Sequence, residues 1–297
     1  MILLTGATGV VGSALLRRLT AAGEPVRCLV RDPRRLGSER VRVQIALGDL
    51  AEPQSFRHAL RGVSTVVHLA ASIRDQRAPT GTRSIEELNG VATWRMVQAA
   101  ERAGVKHFVF FSALDASTVS RARFFRAKAL AERAVAESGL RHTIFAPSIV
   151  YSPGDPFLKL MERLALILPA MPVAGSGKAL YQPIWAEDVA DCVVAALNGR
   201  ATGNARHELA GPETLSYEAI VELTLRSSGR RRALVHVPLP LVRRAVRIAE
   251  LIAGGAAFAT WDEVELMEVP MTSATGTADA ERLGVHPKPM RAVLGVG

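Results

Sequence analysis

The stretch Met1–Gly12, MILLTGATGVVG, decides how this chain is read. A short apolar run, Ile2–Leu4, leads straight into Thr5-Gly6-Ala7-Thr8-Gly9-Val10-Val11-Gly12, and a helical pattern over Ser13–Ala22 follows. Strand, glycine turn and helix in that order let backbone N–H groups and the positive end of a helix receive a phosphate. Glycine serves there because a Cβ blocks either the tight turn or the close approach of a pyrophosphate. The spacing is G-x-x-G-x-x-G rather than G-x-G-x-x-G, so the weight rests on the strand before it and the helix after it.

Working outward, Pro25–Val30 reads as a second strand, apolar enough to be buried on both faces of a parallel sheet. It ends at Arg31-Asp32-Pro33-Arg34-Arg35. In a dinucleotide fold the residue ending this strand meets the adenosine ribose: an acid accepts from a free 2′-hydroxyl, and arginine accommodates a 2′-phosphate. Arg31, with Arg34 and Arg35 following, therefore favours NADP(H), Asp32 keeps NAD(H) open, and an exposed basic loop is the plainer alternative. Val41–Ala46 is expected as the third strand, followed by Gly48-Asp49-Leu50 and a helix over about 53–60. Asp49 is placed to meet an adenine amino group or to open the helix as a turn residue. Thr65–Leu69 is the fourth strand, running into Ala70-Ala71, whose small side chains permit close backbone approach or tight packing.

Residues 72–83 read as a mobile polar loop, and a long helix over about 85–103 stops at Gly104. Strand His107–Phe111 ends in Ser112; helix Phe124–Ser138 and strand His142–Ala146 complete six strand–helix units. Such alternation predicts an α/β fold, a Rossmann-type doubly wound parallel sheet with ligands at the carboxyl ends of its strands. Gly6–Gly12, Arg31, Asp49, Ala70-Ala71, Ser112 and Pro147 all fall on that rim. Beyond Pro147 the regularity changes. Leu180–Trp185 and a helix over Glu187–Leu197, with Asp188 near its start, read as a return to the sheet. Residues 1–151 with about 180–200 are expected to form the dinucleotide-binding core, and about 152–179 and 201–297 a smaller α/β cap. The amphipathic helix Leu239–Ala253 carries Arg243, Arg244 and Arg247; packing in the cap is favoured over binding at a membrane surface.

Composition limits the alternatives. With 48% hydrophobic and 22% charged residues the chain of 297 is ordinary globular material. The net charge of +9 favours phosphorylated ligands, yet the basic residues are scattered and no block suggests a nucleic-acid tail. Cys28 and Cys192 sit in apolar runs and read as buried thiols rather than a disulfide or a metal site. The opening strand leaves no room for a signal peptide and no apolar stretch is long enough for a transmembrane segment, so a cytoplasmic protein is expected.

TGATGVVG, GDL at 48–50, HLAA at 68–71, Asn89, FSAL at 111–114, FFRAKALAERAV at 124–135 and APSIVYSPGD at 146–155 occur in family order. Together they resemble the short-chain dehydrogenase/reductase superfamily, in its extended and atypical branches. The nearest likeness is to NmrA-like dinucleotide-binding regulators and the accessory subunit of respiratory complex I. The resemblance implies a cofactor bed of Thr5, Gly6, Thr8, Gly9, Val10, Gly12, Arg31, Arg34, Asp49, Leu50, Leu69, Ala70, Ala71, Lys128, Pro147 and Ile149. It also implies a small-molecule substrate and a homodimer through the helices at about 85–103 and 124–138.

The family's catalytic set is Asn, Ser and Tyr-x-x-x-Lys; Asn89, Ser112 and Lys128 match, and Phe124 stands at the tyrosine position. Phenylalanine has no proton to exchange, and losing such a group forfeits about 10²–10⁴ in rate. The resemblance therefore leaves three readings. An NADPH-dependent oxidoreductase draws its proton from Lys128, Ser112 through water, or Tyr151, or reduces an imine, quinone or activated double bond. Alternatively the chain is a non-catalytic NAD(P)-binding regulator or assembly factor. A nucleotide-sugar epimerase or dehydratase ranks last, since those enzymes also lean on the absent tyrosine.

Overall fold

In the computed structural model, which describes residues 1–78, 81–253 and 260–296, seven short strands align as one sheet. The strands are β1 (Ile2–Thr5), β2 (Val26–Val30), β3 (Gln44–Leu47), β4 (Thr65–His68), β5 (His107–Phe111), β6 (Arg141–Pro147) and β7 (Ala205–Leu209). Their order is β3-β2-β1-β4-β5-β6-β7, and every neighbouring pair is parallel. This is the Rossmann-type arrangement, with the order reversing beside β1.

Successive side chains of a strand point to opposite faces, and each face is covered by helices. Leu4, Cys28, Val67, Val109 and Phe145 pack against α1 (Val10–Ala21), joined by Val189, Cys192 and Val193 from a later helix. Leu3, Leu29, Val66, Phe108 and Ile144 pack on the other face against α2 (Ala92–Arg102) and α3 (Arg123–Ala136). A fully buried Leu or Phe side chain contributes about 1.5–3 kcal/mol, so these two layers fix the strand ends that carry the site. Cys28 and Cys192 are both free and buried.

After β6 the chain forms α4 (Pro156–Ile167), returns as α5 (Ala186–Leu197), then enters β7, α6 (Tyr217–Ser227) and α7 (Leu239–Ala253). Arg18 of α1 pairs with Glu187 and Asp191 of α5, and Arg17 reaches Glu187 at 2.6 Å, tying the two helices together. Tyr151, Leu158, Met161, Tyr181, Tyr217 and Ile220 make a separate cluster away from the sheet.

Several expectations are corrected here. Leu180–Trp185 does not rejoin the sheet. Pro183 cannot donate to a ladder, and the segment splits into Leu180–Tyr181, paired with Leu215–Ser216, and Ile184–Trp185, paired with Val150–Tyr151. The seventh strand is instead Ala205–Leu209, a stretch that the sequence suggested for the cap. Val41 ends a 3₁₀ segment, Pro33–Val41, and β3 begins at Gln44. The supposed loop 72–83 contains two antiparallel strands, Gln76–Ala78 and Gly81–Arg83. The helix over 85–103 opens with a π turn, Glu87–Val91. Residues 254–259 and 297, within the expected cap, lie outside the described residues. Among those described, no helix is long and apolar enough to cross a membrane, and no cluster of His, Cys, Asp or Glu is arranged to hold a metal.

Candidate dinucleotide site

The carboxyl ends of β1, β2, β3 and β4 open into a cleft of about 540 Å³. Its floor is the glycine turn. Gly6 has φ +71°, and a Cβ there would lie 2.6 Å from the Ala70 nitrogen, so the β1 turn runs directly against the end of β4. A Cβ on Gly12 would meet the Gly6 carbonyl at 2.1 Å, which is how α1 gets so close to the turn. Gly9 caps α1 without a side chain, and the first turn carries no acid. The leading amides of α1 thus keep the dipole's positive end clear for an anion.

Thr5 does not line the cleft. Its hydroxyl accepts from the Ala70 amide at 3.3 Å and meets His68 Nδ1 at 2.9 Å, and His68 Nε2 meets the Thr93 hydroxyl at 3.1 Å. This chain pins the end of β4. Burial, helped by the charge of Lys128, pushes His68 down to about 3, so it is neutral near pH 7.

The wall is made where β2 and β3 end. Arg31, Asp32 and Arg35 line it; Arg34 does not, because the 3₁₀ turn capped by Asp32 carries position 35 to the cleft instead. Arg31 donates to Gln76 Oε1 at 2.8 Å. Asp49 lines the cleft but is held by Arg83 at 2.5 Å, while its other oxygen accepts from the Ala51 amide at 3.0 Å. Thr8, Leu50, Leu69, Ala70 and Ala71 complete the expected lining, and Leu29, Val30, Gly48, Ser72, Gln76 and Leu88 join them. Gln76 and Leu88 carried no local signal, because the segments that bring them in are placed by tertiary contacts. Val10, Gly12, Lys128, Pro147 and Ile149 do not line this cleft; Ile149 packs against the separate cluster around Tyr151.

The catalytic candidates lie further along the rim. Lys128 is buried at 3% exposure, and its Nζ donates to the Phe111 carbonyl at 2.5 Å, 4.9 Å from the Phe110 ring centroid. Burial pulls the ammonium down to about 7, opposed only weakly by Glu132. The hydroxyl of Ser112, next in sequence after Phe111, is buried with no partner among the described residues. Phe124 is half-buried, its ring edge-on to Phe125 at 5.6 Å between centroids, and it packs with Leu266, Val269 and Met271 around the small cluster of Ala113, Ala122 and Phe125. Asn89 has its polar groups engaged: Nδ2 donates to the Ser72 and Ile85 carbonyls, each at 2.7 Å, and Oδ1 accepts from the Ser72 amide at 3.1 Å. It is a positioning residue for Ser72, and the π turn is what aims it. Tyr151 is 2% exposed, its hydroxyl has no partner, and burial raises its pKa, so it is a poor acid there.

From Met1 to residue 277 the sequence matches the family model described as NmrA-like. The chain belongs to the NmrA-like family. NmrA-like relatives include an NAD(P)H azoreductase of Xenophilus azovorans, 29% identical over 83% of this chain and 80% of that protein. The mitochondrial NADH dehydrogenase [ubiquinone] 1 alpha subcomplex subunit 9 of Arabidopsis thaliana is 28% identical, over 80% of this chain and 60% of its own length. A dTDP-glucose 4,6-dehydratase from Streptomyces venezuelae, solved with NAD bound, superposes with TM-score 0.76 at 20% identity, covering 100% of this chain and 94% of that one. At that identity the likeness speaks for the fold alone.

In this NmrA-like chain a cluster of ion pairs is centred on Arg123, the residue before Phe124. Arg123 binds Glu86 at 2.7 Å, Asp75 at 3.2 Å and Asp262 at 3.5 Å, and Arg74 binds Glu263 at 2.6 Å. The Arg123 guanidinium holds Glu86 down at about 2. The contacts join the segment after β4 and the start of α3 to the short helix Trp261–Leu266, itself closed by a Thr260–Glu263 capping box.

Proposed function

We propose that this NmrA-like protein is an NADP(H)-dependent oxidoreductase that reduces a small organic acceptor, with Lys128 taking over the proton chemistry of the missing tyrosine. The observation that carries this reading is a buried Lys128 ammonium, brought to about 7, whose one hydrogen bond among the described residues goes to the Phe111 carbonyl at the end of β5, one residue before the buried hydroxyl of Ser112. An acid with a pKa near the working pH both carries its proton and gives it up readily.

The residues fit a dinucleotide. The Gly6–Ala70 approach and the uncapped start of α1 suit a pyrophosphate, and Arg31 with Arg35 suits a 2′-phosphate. Bound along this rim, the nicotinamide supplies hydride. Lys128 then does two jobs compatible with one position: it donates to ribose hydroxyls and provides the proton that accompanies hydride transfer. An imine, quinone or azo double bond takes one hydride and one proton, needing no phenol. The name of the azoreductase relative favours that acceptor class.

The test is a titration of NADPH against NADH, followed by NADPH oxidation with quinones, azo compounds, imines, enones and ketones. Tighter NADPH binding and turnover of an activated acceptor are expected. No oxidation at saturation with any of them overturns the enzymatic reading.

A second reading, a non-catalytic NAD(P)-binding accessory or assembly protein, draws on Phe124, a side chain with no proton to exchange, packed with Leu266, Val269 and Met271 around one small apolar cluster. The relative named as an NADH dehydrogenase subunit favours it. Partner capture that changes with NADPH, without turnover, is its signature. In either case we assign a homodimer to the α2 and α3 face, where Trp94 and Leu130 are each 52% exposed.

A further inference from the structure

Helix α7 is packed on one side only. Val246 is buried, and the Arg243 guanidinium lies 5.0 Å from the Trp261 ring centroid. The helix's acid, Glu250, accepts from the Trp261 backbone amide at 3.3 Å and so faces the same neighbour. Among the described residues, nothing covers the other side. Leu241, Ile248 and Leu251 are 57%, 50% and 86% exposed. At 3.6 residues per turn they fall within an arc of about 80°, opposite Val242 and Val246. Arg244 lies inside that arc and Arg247 at its edge, both exposed.

We propose that this face of α7 docks the protein on the surface of an anionic lipid bilayer, with the helix lying in the plane of the interface. Large aliphatic side chains flanked by arginines, with no acid on the same arc, match the acyl–phosphate boundary of such a membrane. Charge complementarity selects this occupant over a second copy of the chain, since a self-pairing of the face would set Arg244 and Arg247 of one copy against those of the other. The net charge of +9 acts in the same direction. Fifteen residues make about 22 Å of helix, short of a bilayer core, so the geometry fits lying on the membrane rather than crossing it. The inference requires neither turnover nor dinucleotide.

The test sediments the full chain with phosphatidylcholine vesicles, with and without phosphatidylglycerol. It is run in the Trp94→Glu background so that association through α2 does not interfere. Binding to the anionic vesicles is expected to exceed binding to neutral ones by about tenfold and to fall with salt. Ile248→Glu with Leu251→Glu, and separately Arg244→Glu with Arg247→Glu, should each cut it about tenfold. Both pairs lie on the surface, so circular dichroism and NADPH affinity should be unchanged. Equal sedimentation with and without phosphatidylglycerol, or indifference to both pairs, overturns the proposal. So does a mass that falls on Ile248→Glu with Leu251→Glu without any vesicle binding, which assigns the face to a second copy.

Discussion

Lys128 Nζ lies 5.7 Å from the centroid of the Phe124 ring, one turn earlier on α3. The pair keeps the spacing of an acid and the cation that tunes it, with the acid's hydroxyl removed. Phe124→Tyr restores an O–H without changing the helix. NADPH affinity is expected to stay within about twofold, and ketone reduction to appear or rise by about 10²-fold, the low end for such a group. Loss of NADPH binding in this variant would show that the ring does not border the nicotinamide.

Arg31 is exposed at the cleft wall. Arg31→Ala should raise the Kd for NADPH about tenfold, the worth of one charge-assisted phosphate contact, and that for NADH by less than about twofold. Calorimetric titration of both cofactors decides it; matched losses reject the 2′-phosphate assignment.

Gly6 and Gly23 both have positive φ, but only Gly6 has backbone where a Cβ would go. Gly23→Ala should cost about 1 kcal/mol, the left-handed strain alone. Gly6→Ala should cost about 1–3 kcal/mol more and weaken dinucleotide binding. Urea melts and NADPH titrations of the two variants separate close approach from strain; equal penalties count against the cradle.

The buried bases give the protein two pH dependences. His68 is lowered in the folded state to about 3 from its ordinary 6.5, so the unfolded chain binds more protons between those values. That stability is complete above about pH 6.5 and is lost as the pH falls toward 3; His68→Gln should flatten this limb of the acid melt. For Lys128 the same sign puts a gain in stability between about 7 and its ordinary 10.5 as pH rises. In turnover, a Lys128 proton donor predicts a rate that falls as pH rises through about 7. Lys128→Met should abolish that limb and cost about 10²–10⁴ in the hydride step, read in single turnovers.

Trp94→Glu places a charge in the centre of the proposed dimer face. Light scattering should report the monomer mass for the variant and twice that mass for the parent chain. A parent that is already monomeric removes the assignment.

Much of this was legible in residue order. Gly6, Gly9 and Gly12 declared the turn, since only a backbone that must approach another backbone needs glycine at those points. The strands β1, β2, β4, β5 and β6 announced themselves as apolar runs bounded by turns. The failures share a cause, which is placement by contacts remote in sequence. Nothing near residue 205 says that Ala205–Leu209 will find β6, since a strand with only Leu209 fully buried reads as a peripheral one. The π turn that aims Asn89 has no local sequence signature. Arg83 neutralises Asp49 across thirty-four positions, and Arg35 displaces Arg34 from the cleft through a helical turn visible only in three dimensions.

The position of β7 bears on how the molecule is made. Its pairing with β6 is the last ladder of the central sheet, and the whole of α4 and α5 is synthesised between the two strands. Until Ala205–Leu209 leaves the ribosome, β6 presents an open row of amides and carbonyls, a template for another nascent chain. A fragment that stops near residue 200 is therefore expected to leave that edge open and to aggregate, and one that extends through Leu209 to close it.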